Sequence, residues 1–220
     1  IKYCNERFDN VLDFINEELL KSKFLEKSFI SFTTNDNYLK LSEIMIKSLN
    51  IFSKYPIILY CVNFDKPIFH NKYSNLICKR IDYDGKDEIF ILKPKIIYDA
   101  IKNIGIKNGV YIESDDIVTP YIDNIFKECL RIKNYPLCPI HPRDPNNQDN
   151  IMKIFNISKK TMPYVHAHVI FTENTYNFIK EWIDICKKYI KIAHCSDETI
   201  LNVLFWKNNE RFFPKNPLDP

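Results

Sequence analysis

Glycine is almost absent, with 3 in 220 residues, and alanine is as scarce, occurring only at Ala100, Ala167 and Ala193. So little glycine leaves no Gly-rich phosphate loop, which excludes P-loop and dinucleotide fingerprints as the basis of function. The seven cysteines (Cys4, Cys61, Cys78, Cys129, Cys138, Cys186 and Cys195) contain no C-x-x-C pair. An odd, unpaired set argues against a disulfide framework or a zinc knuckle. It points to reduced thiols in a cytoplasmic or other reducing compartment. Charge of one sign is also missing: Lys+Arg 31 against Asp+Glu 28 gives a net +3. A strong binder of nucleic acid or of an anionic membrane is more lopsided than this, so no nucleic-acid partner is expected. No apolar run approaches the length of a membrane span, and no signal peptide is visible. The chain opens on Ile1 and stops at Pro220, and it is expected to be a domain of a larger protein.

What remains is the composition of a globular domain: 45% hydrophobic, 27% charged and 14% aromatic, enough for one full-sized core. Residues 10–27 carry Val11, Leu12, Phe14, Ile15, Leu19, Leu20 and Phe24 at amphipathic spacing and are predicted to form a helix. Residues 1–27 thus read as a lead-in, and 28–220 as a single domain. Strands are predicted at 28–32, 57–62, 76–81, 109–112, 135–140 and 164–171. Helices are predicted at 38–52, 93–103, 120–131, 174–189 and 196–206. The run Ile57-Ile58-Leu59-Tyr60-Cys61-Val62 is continuously apolar, as in a parallel strand buried on both faces. Strands alternating with helices imply an α/β/α sandwich with a mainly parallel central sheet, with ligands at the strand C-termini. A Pro- and Asn-rich loop from His141 to Asn150 is the longest and reads as a lid.

The most informative segment is Gly109-Val110-Tyr111-Ile112-Glu113-Ser114-Asp115-Asp116. A buried strand rarely ends in three carboxylates within four residues, because grouped carboxylates repel unless something positive lies between them. Mg²⁺ or Mn²⁺ satisfies that need and bridges to a diphosphate, which makes Glu113, Asp115 and Asp116 candidate metal ligands. In an extended segment Glu113 and Asp115 share one side. The competing reading of Asp116 is a cap on the following turn.

In this context the sequence resembles glycosyltransferases of the GT-A fold, in which an Asp-x-Asp motif closes a central strand and holds a metal on a nucleotide-sugar diphosphate. Glu113-Ser114-Asp115 stands in that motif's place, with Glu for the first Asp. The resemblance implies a hexosyltransferase-like enzyme that takes a UDP- or GDP-sugar donor and a glycan or protein acceptor. It makes Asp115 the better direct metal contact and Ser114 a nucleotide contact. It places Thr33, Thr34, Asn35 and Tyr38 where nucleobase and ribose are held, and Lys93 on a helix facing the phosphates or the motif. The same residues also read as a helix N-cap region and a solvated lysine. In the late segment His194-Cys195-Ser196-Asp197-Glu198-Thr199-Ile200-Leu201-Asn202, the resemblance gives Asp197 or Glu198 the acceptor-facing role of general base. Ser196 as N-cap with acids in the first helical turn is the plainer alternative.

His166 and His168 alternate with Tyr164 on one face of the expected strand, and each reads first as a structural histidine. Trp182 and Trp206 read as core. Two other functions compete. One is sugar-phosphate nucleotidyl transfer, which usually needs a Gly-rich loop after the first strand. The other is a non-catalytic transferase-like module binding a glycan or a partner.

Overall fold

The computed structural model describes residues 23–35, 37–86, 88–141, 148–158, 160 and 163–208. Four parallel strands, β1 (Lys27–Thr33), β2 (Ile57–Val62), β3 (Leu76–Ile81) and β4 (Asn108–Tyr111), are joined by a fifth, β5 (Val169–Thr172). The sheet order is β3-β2-β1-β4-β5, with β5 antiparallel to β4. The helices are α1 (Asn37–Phe52), α2 (Leu92–Asp99), α3 (Asp149–Ile154), α4 (Tyr176–Ala193) and α5 (Asp197–Lys207).

Strand alternation sorts the core into two layers. Ile30, Ile58, Tyr60, Tyr111, Val169 and Phe171 pack against α2, α4 and α5 on one face. Phe29, Ile57, Leu59, Val110 and Ile170 pack on the other, with Met45, Ile46 and Leu49 of α1. Burial on both faces explains why β2 is apolar at every position. Trp182 and Trp206 are both core, at 0% and 2% exposure. Gly109 is the one glycine whose lack of a side chain the packing requires. It faces Phe171 across the β4–β5 pair, and a Cβ there would land on the Phe171 ring.

The chain path creates the site. From β1 the sheet grows through β2 to β3, then the chain returns to the other side of β1 to add β4. The strand order therefore reverses between β1 and β4, and the crevice outside the C-terminal ends of such a pair is where open α/β sheets bind ligands. Thr33 ends β1, and Tyr111, two residues before Glu113, ends β4.

Several expected elements differ. The helix expected over 10–27 lies mostly outside the described residues; Lys23–Glu26 is a single 3-10 turn, and Lys27 already pairs with Asn108 in the sheet. The strand expected at 135–140 is reduced to isolated bridges, Leu137 with Ile170 and Ile140 with Val165. Pro136 and Pro139 have no N–H to donate to a ladder. The strand expected from Tyr164 starts only at Val169. Residues 122–131 form a 3-10 rather than an α-helix, entered through Tyr121 at φ 72°. The helix expected over 93–103 is α-helical to Asp99, then widens into a π turn, Ala100–Ile104, that Gly105 ends at φ 84°. The expected lid falls largely on residues 142–147, outside the described residues.

Candidate active site

The elements converge at the C-terminal end of β1 and β4. Tyr111 ends β4 and Glu113 follows two residues on, past the strand, where the Tyr111 hydroxyl donates to Glu113 Oε2 at 2.8 Å. The first turn of α2 brings Lys93, whose ammonium meets Glu113 Oε1 at 2.5 Å and Asp197 Oδ2, from the first turn of α5, at 3.2 Å. Lys93, Glu113 and Asp197, far apart in sequence, thus form one cluster. The Lys93 side chain is 10% exposed and that of Asp197 4%. Burial opposes the charge on Lys93, but the two carboxylates outweigh it and hold the ammonium protonated well beyond its ordinary range. Burial also raises Asp197 above the ordinary carboxylate range, because one ammonium does not compensate two buried carboxylates. Asp197 is fixed from behind by Trp182, whose indole N–H donates to its backbone carbonyl at 2.9 Å. The Asp197 Oδ2 atom is buried with no hydrogen-bond partner of proper geometry.

Glu198 faces elsewhere. Its Oε2 accepts from the Ala167 backbone N–H at 2.9 Å and lies 3.4 Å from His166 Nδ1. Ser196 caps the helix, its hydroxyl accepting from Thr199 N–H, so the capping role and the clustered acids coexist.

Past Tyr111 the strand has ended, and Ser114–Asp115 is a turn, so period-two alternation no longer governs where side chains point. Glu113 is ion-paired and half-buried, Ser114 is buried, and Asp115 is exposed. Asp116 folds back, its Oδ2 accepting from the Glu113 backbone N–H at 2.9 Å and from His168 Nε2 at 2.7 Å. Burial disfavours charge on both partners, but the contact outweighs it, lowering Asp116 and raising His168. His166 lies between His168 and His141, with ring centroids 4.7 and 4.6 Å away. The three acids expected to share a metal therefore have separate environments. Among the described residues, no group of three His, Cys, Asp or Glu side chains is arranged to hold a metal ion. Glu113, Asp115 and Asp116 do not fit a preformed metal site here.

On the β1 side, Thr33 is buried and its hydroxyl donates to Thr34 O at 3.2 Å. Thr34 Oγ1 is buried without a hydrogen-bond partner among the described residues, Asn35 is exposed, and Tyr38 in the first turn of α1 is 53% exposed. These four residues share the C-terminal end of the sheet with the acids.

No family model matches the chain. It is 25% identical over 193 residues to an uncharacterized protein of Acanthamoeba polyphaga mimivirus, covering 87% of this chain and 47% of that protein. Among solved structures it superposes on the galactosyltransferase LgtC, in a complex with donor and acceptor sugar analogs. That match has a TM-score of 0.62 and 13% identity over 81% of this chain and 70% of LgtC. The chain has the GT-A fold of glycosyltransferases. A second match is the apo-form glycosyltransferase GlyE of Streptococcus pneumoniae TIGR4, with a TM-score of 0.55 and 18% identity over 82% of this chain and 43% of GlyE. The chain spans about half the length of both GlyE and the mimivirus relative. No helix among the described residues is long and apolar enough to cross a membrane.

Three features of this end of the sheet escaped the sequence reading. Tyr111 read as an apolar strand residue, although its two-residue spacing from Glu113 was the available signal. The His168–Asp116 pair spans 52 positions and has no local signature. Asn202 was visible only as the last letter of the late segment.

Proposed function

We propose that this GT-A domain transfers a sugar from a nucleoside-diphosphate sugar to an acceptor hydroxyl. The observation that carries the reading is the buried Lys93–Glu113–Asp197 cluster at the switch point between β1 and β4. A charged lysine held there makes the acid end of the sheet tolerant of a diphosphate, which uncompensated carboxylates would repel. Thr34, with its unpaired buried hydroxyl, and the exposed Asn35 and Tyr38 suit the nucleoside. Asp197, whose Oδ2 is held by the Lys93 ammonium, supplies the acid at the start of α5. Glu198 and His166 border the acceptor side, which accepts a glycan or a protein side chain.

The Mn²⁺ or Mg²⁺ expected from the acidic motif has one exposed carboxylate to meet, Asp115, and no step is assigned to a metal. A reducing compartment is part of the proposal, on the odd cysteine set without a C-x-x-C pair in the sequence.

Calorimetric titration with UDP- and GDP-sugars, with and without Mn²⁺, tests the reading. Binding is expected, and Asp115→Ala should remove any part of it that needs the metal. If neither nucleotide sugar binds, the transferase reading fails. Binding without transfer or donor hydrolysis across varied acceptors would favour a non-catalytic module instead.

A further inference from the structure

The segment from Tyr164 to His168 walls one side of the site without being a strand. Its sheet-like pairing is the single bridge from Val165 to Ile140. Val165 is buried, so both of its backbone polar groups need partners inside the protein.

Asn202, at 0% exposure in the second turn of α5, supplies them. Its Oδ1 accepts from the Val165 N–H at 2.7 Å, and its Nδ2 donates to the Val165 carbonyl at 2.9 Å. The other Nδ2 proton goes to the Glu198 carbonyl at 2.9 Å. A carboxamide is the side chain that offers an acceptor and two donors in one plane, and so pairs with a peptide group as another peptide would. Leucine has the volume and none of the groups, and aspartate keeps the acceptor and loses the donors.

The residues that follow are those of the site. Ala167 N–H and His166 Nδ1 both approach Glu198 Oε2, and His168 reaches Asp116. The same amide thus grips the backbone on both sides of the Glu198 contact.

We propose that Asn202 is a positioning residue, clamping the Val165 peptide to α5 and thereby setting His166 and Ala167 against Glu198 on the acceptor side. This rests on the glycosyltransferase reading for its meaning in catalysis, but the clamp itself is measurable without activity. In the native protein, the Val165 amide should be among the protected amides in hydrogen exchange although it lies outside regular structure; fast exchange there overturns the proposal.

Imidazole NMR at fixed pH, with signals assigned through His166→Gln and His168→Gln, reads the consequence. Asn202→Asp and Asn202→Leu should displace the His166 and His168 resonances. Val203→Ala, equally buried on the same helix, should leave them in place although it also destabilises. A folded Asn202→Asp protein with unmoved histidine signals overturns the clamp. Should Asn202→Leu fail to fold, the Asp variant and the exchange measurement still decide it.

In turnover of a UDP- or GDP-sugar, Asn202→Asp should lower kcat by on the order of 10²-fold, the effect of a small misplacement of reacting groups, with the donor KM unchanged. A proportionate rise in donor KM at constant kcat would overturn the acceptor-side assignment. No turnover in the wild-type protein would defeat the transferase reading, while the spectra and the exchange data still settle the clamp.

Discussion

Lys93→Met should be the most damaging single change at the sheet's C-terminal end, and its damage should depend on pH. The substitution keeps the length and apolar stem of lysine and removes the ammonium between Glu113 and Asp197. Coulomb's law at an effective dielectric of about 20 gives gross attractions of about 7 and about 5 kcal/mol at the two observed distances. Desolvation of the three groups cancels much of this. The expected net loss is that of breaking a buried pair from one side, about 3–5 kcal/mol. For a chain of this size that is a fall in Tm of roughly 6–20 °C. Lys93 has a folded pKa above its unfolded one, so its contribution is fully present below pH 10.5 and is lost only as pH rises through the folded value. Asp197 sets the pH dependence instead. Asp197 is already raised by burial, and without Lys93 it rises further. A raised carboxyl keeps its proton in the folded state where the unfolded state has released it, so stability falls as pH climbs from about 3.8 through the folded value. Urea titrations of both proteins at pH 4 and pH 8 should therefore show the deficit nearly full at pH 8 and much reduced at pH 4. Adding Asp197→Asn should recover part of it at pH 8, since the double variant buries one charge fewer. A deficit that is independent of pH, or below about 1 kcal/mol, would refute a lysine held between the half-buried Glu113 and the buried Asp197.

Asp115→Ala should leave unfolding free energy within about 0.5 kcal/mol, as for other exposed positions, so any loss of nucleotide binding seen calorimetrically would be a loss of contact and not of fold. Gly109→Ala should cost about 1–3 kcal/mol in a chemical melt, because its Cβ overpacks against Phe171, and Phe171→Leu should make the two changes measurably non-additive. Away from the site, burial works against the charge on Asp99, but donors from Lys79, Tyr60 and Asn103 outweigh it and hold the carboxyl below its ordinary range. Asp99→Asn should cost about 1–3 kcal/mol at pH 7 and progressively less as pH falls through the folded pKa, where the wild-type carboxylate is itself protonated; an equal cost at pH 3 would contradict it.

The parts of the fold legible in sequence were those whose signal is local. β2 and β3 were bounded to the residue; for β2 the reason is a continuous apolar run between turn signals, which leaves little else to be. α1 and α5 were placed within a residue at their starts by polar clusters followed by helical spacing. Reading failed where partners come from afar. Residues 164–168 look like a strand by composition, yet their backbone is satisfied largely by α5 side chains and by the carbonyl of Pro139, which no periodicity encodes. At the site, the acidic strand end announced itself because charge after an apolar run is locally anomalous. The partition of those acids was not legible. It depends on Lys93 and His168 arriving from two other places in the fold, besides Tyr111 two residues upstream of Glu113.

That partition changes what the missing glycines mean. With no glycine loop to cradle phosphates through backbone N–H groups, the sheet end must manage charge with side chains. A buried side-chain ion cluster is only as good as its geometry, because an unpaired member is costly in the interior. The structure meets this demand by drawing the partners from rigid elements. Glu113 follows β4 directly, Lys93 and Asp197 sit in the first turns of α2 and α5, and Trp182 of α4 holds the Asp197 backbone. α5 then does double duty, since the helix that presents Asp197 to Lys93 also presents Glu198 and Asn202 to the histidine segment. A shift of α5 would move both groups together, so the Lys93 ion cluster and the histidine segment are geometrically linked. It follows that substitutions loosening the α5 packing, such as Trp182→Phe, should disturb Lys93 and His166 in the same protein. Changes confined to the 3-10 segment Ile122–Arg131, on the other face of the sheet, should disturb neither.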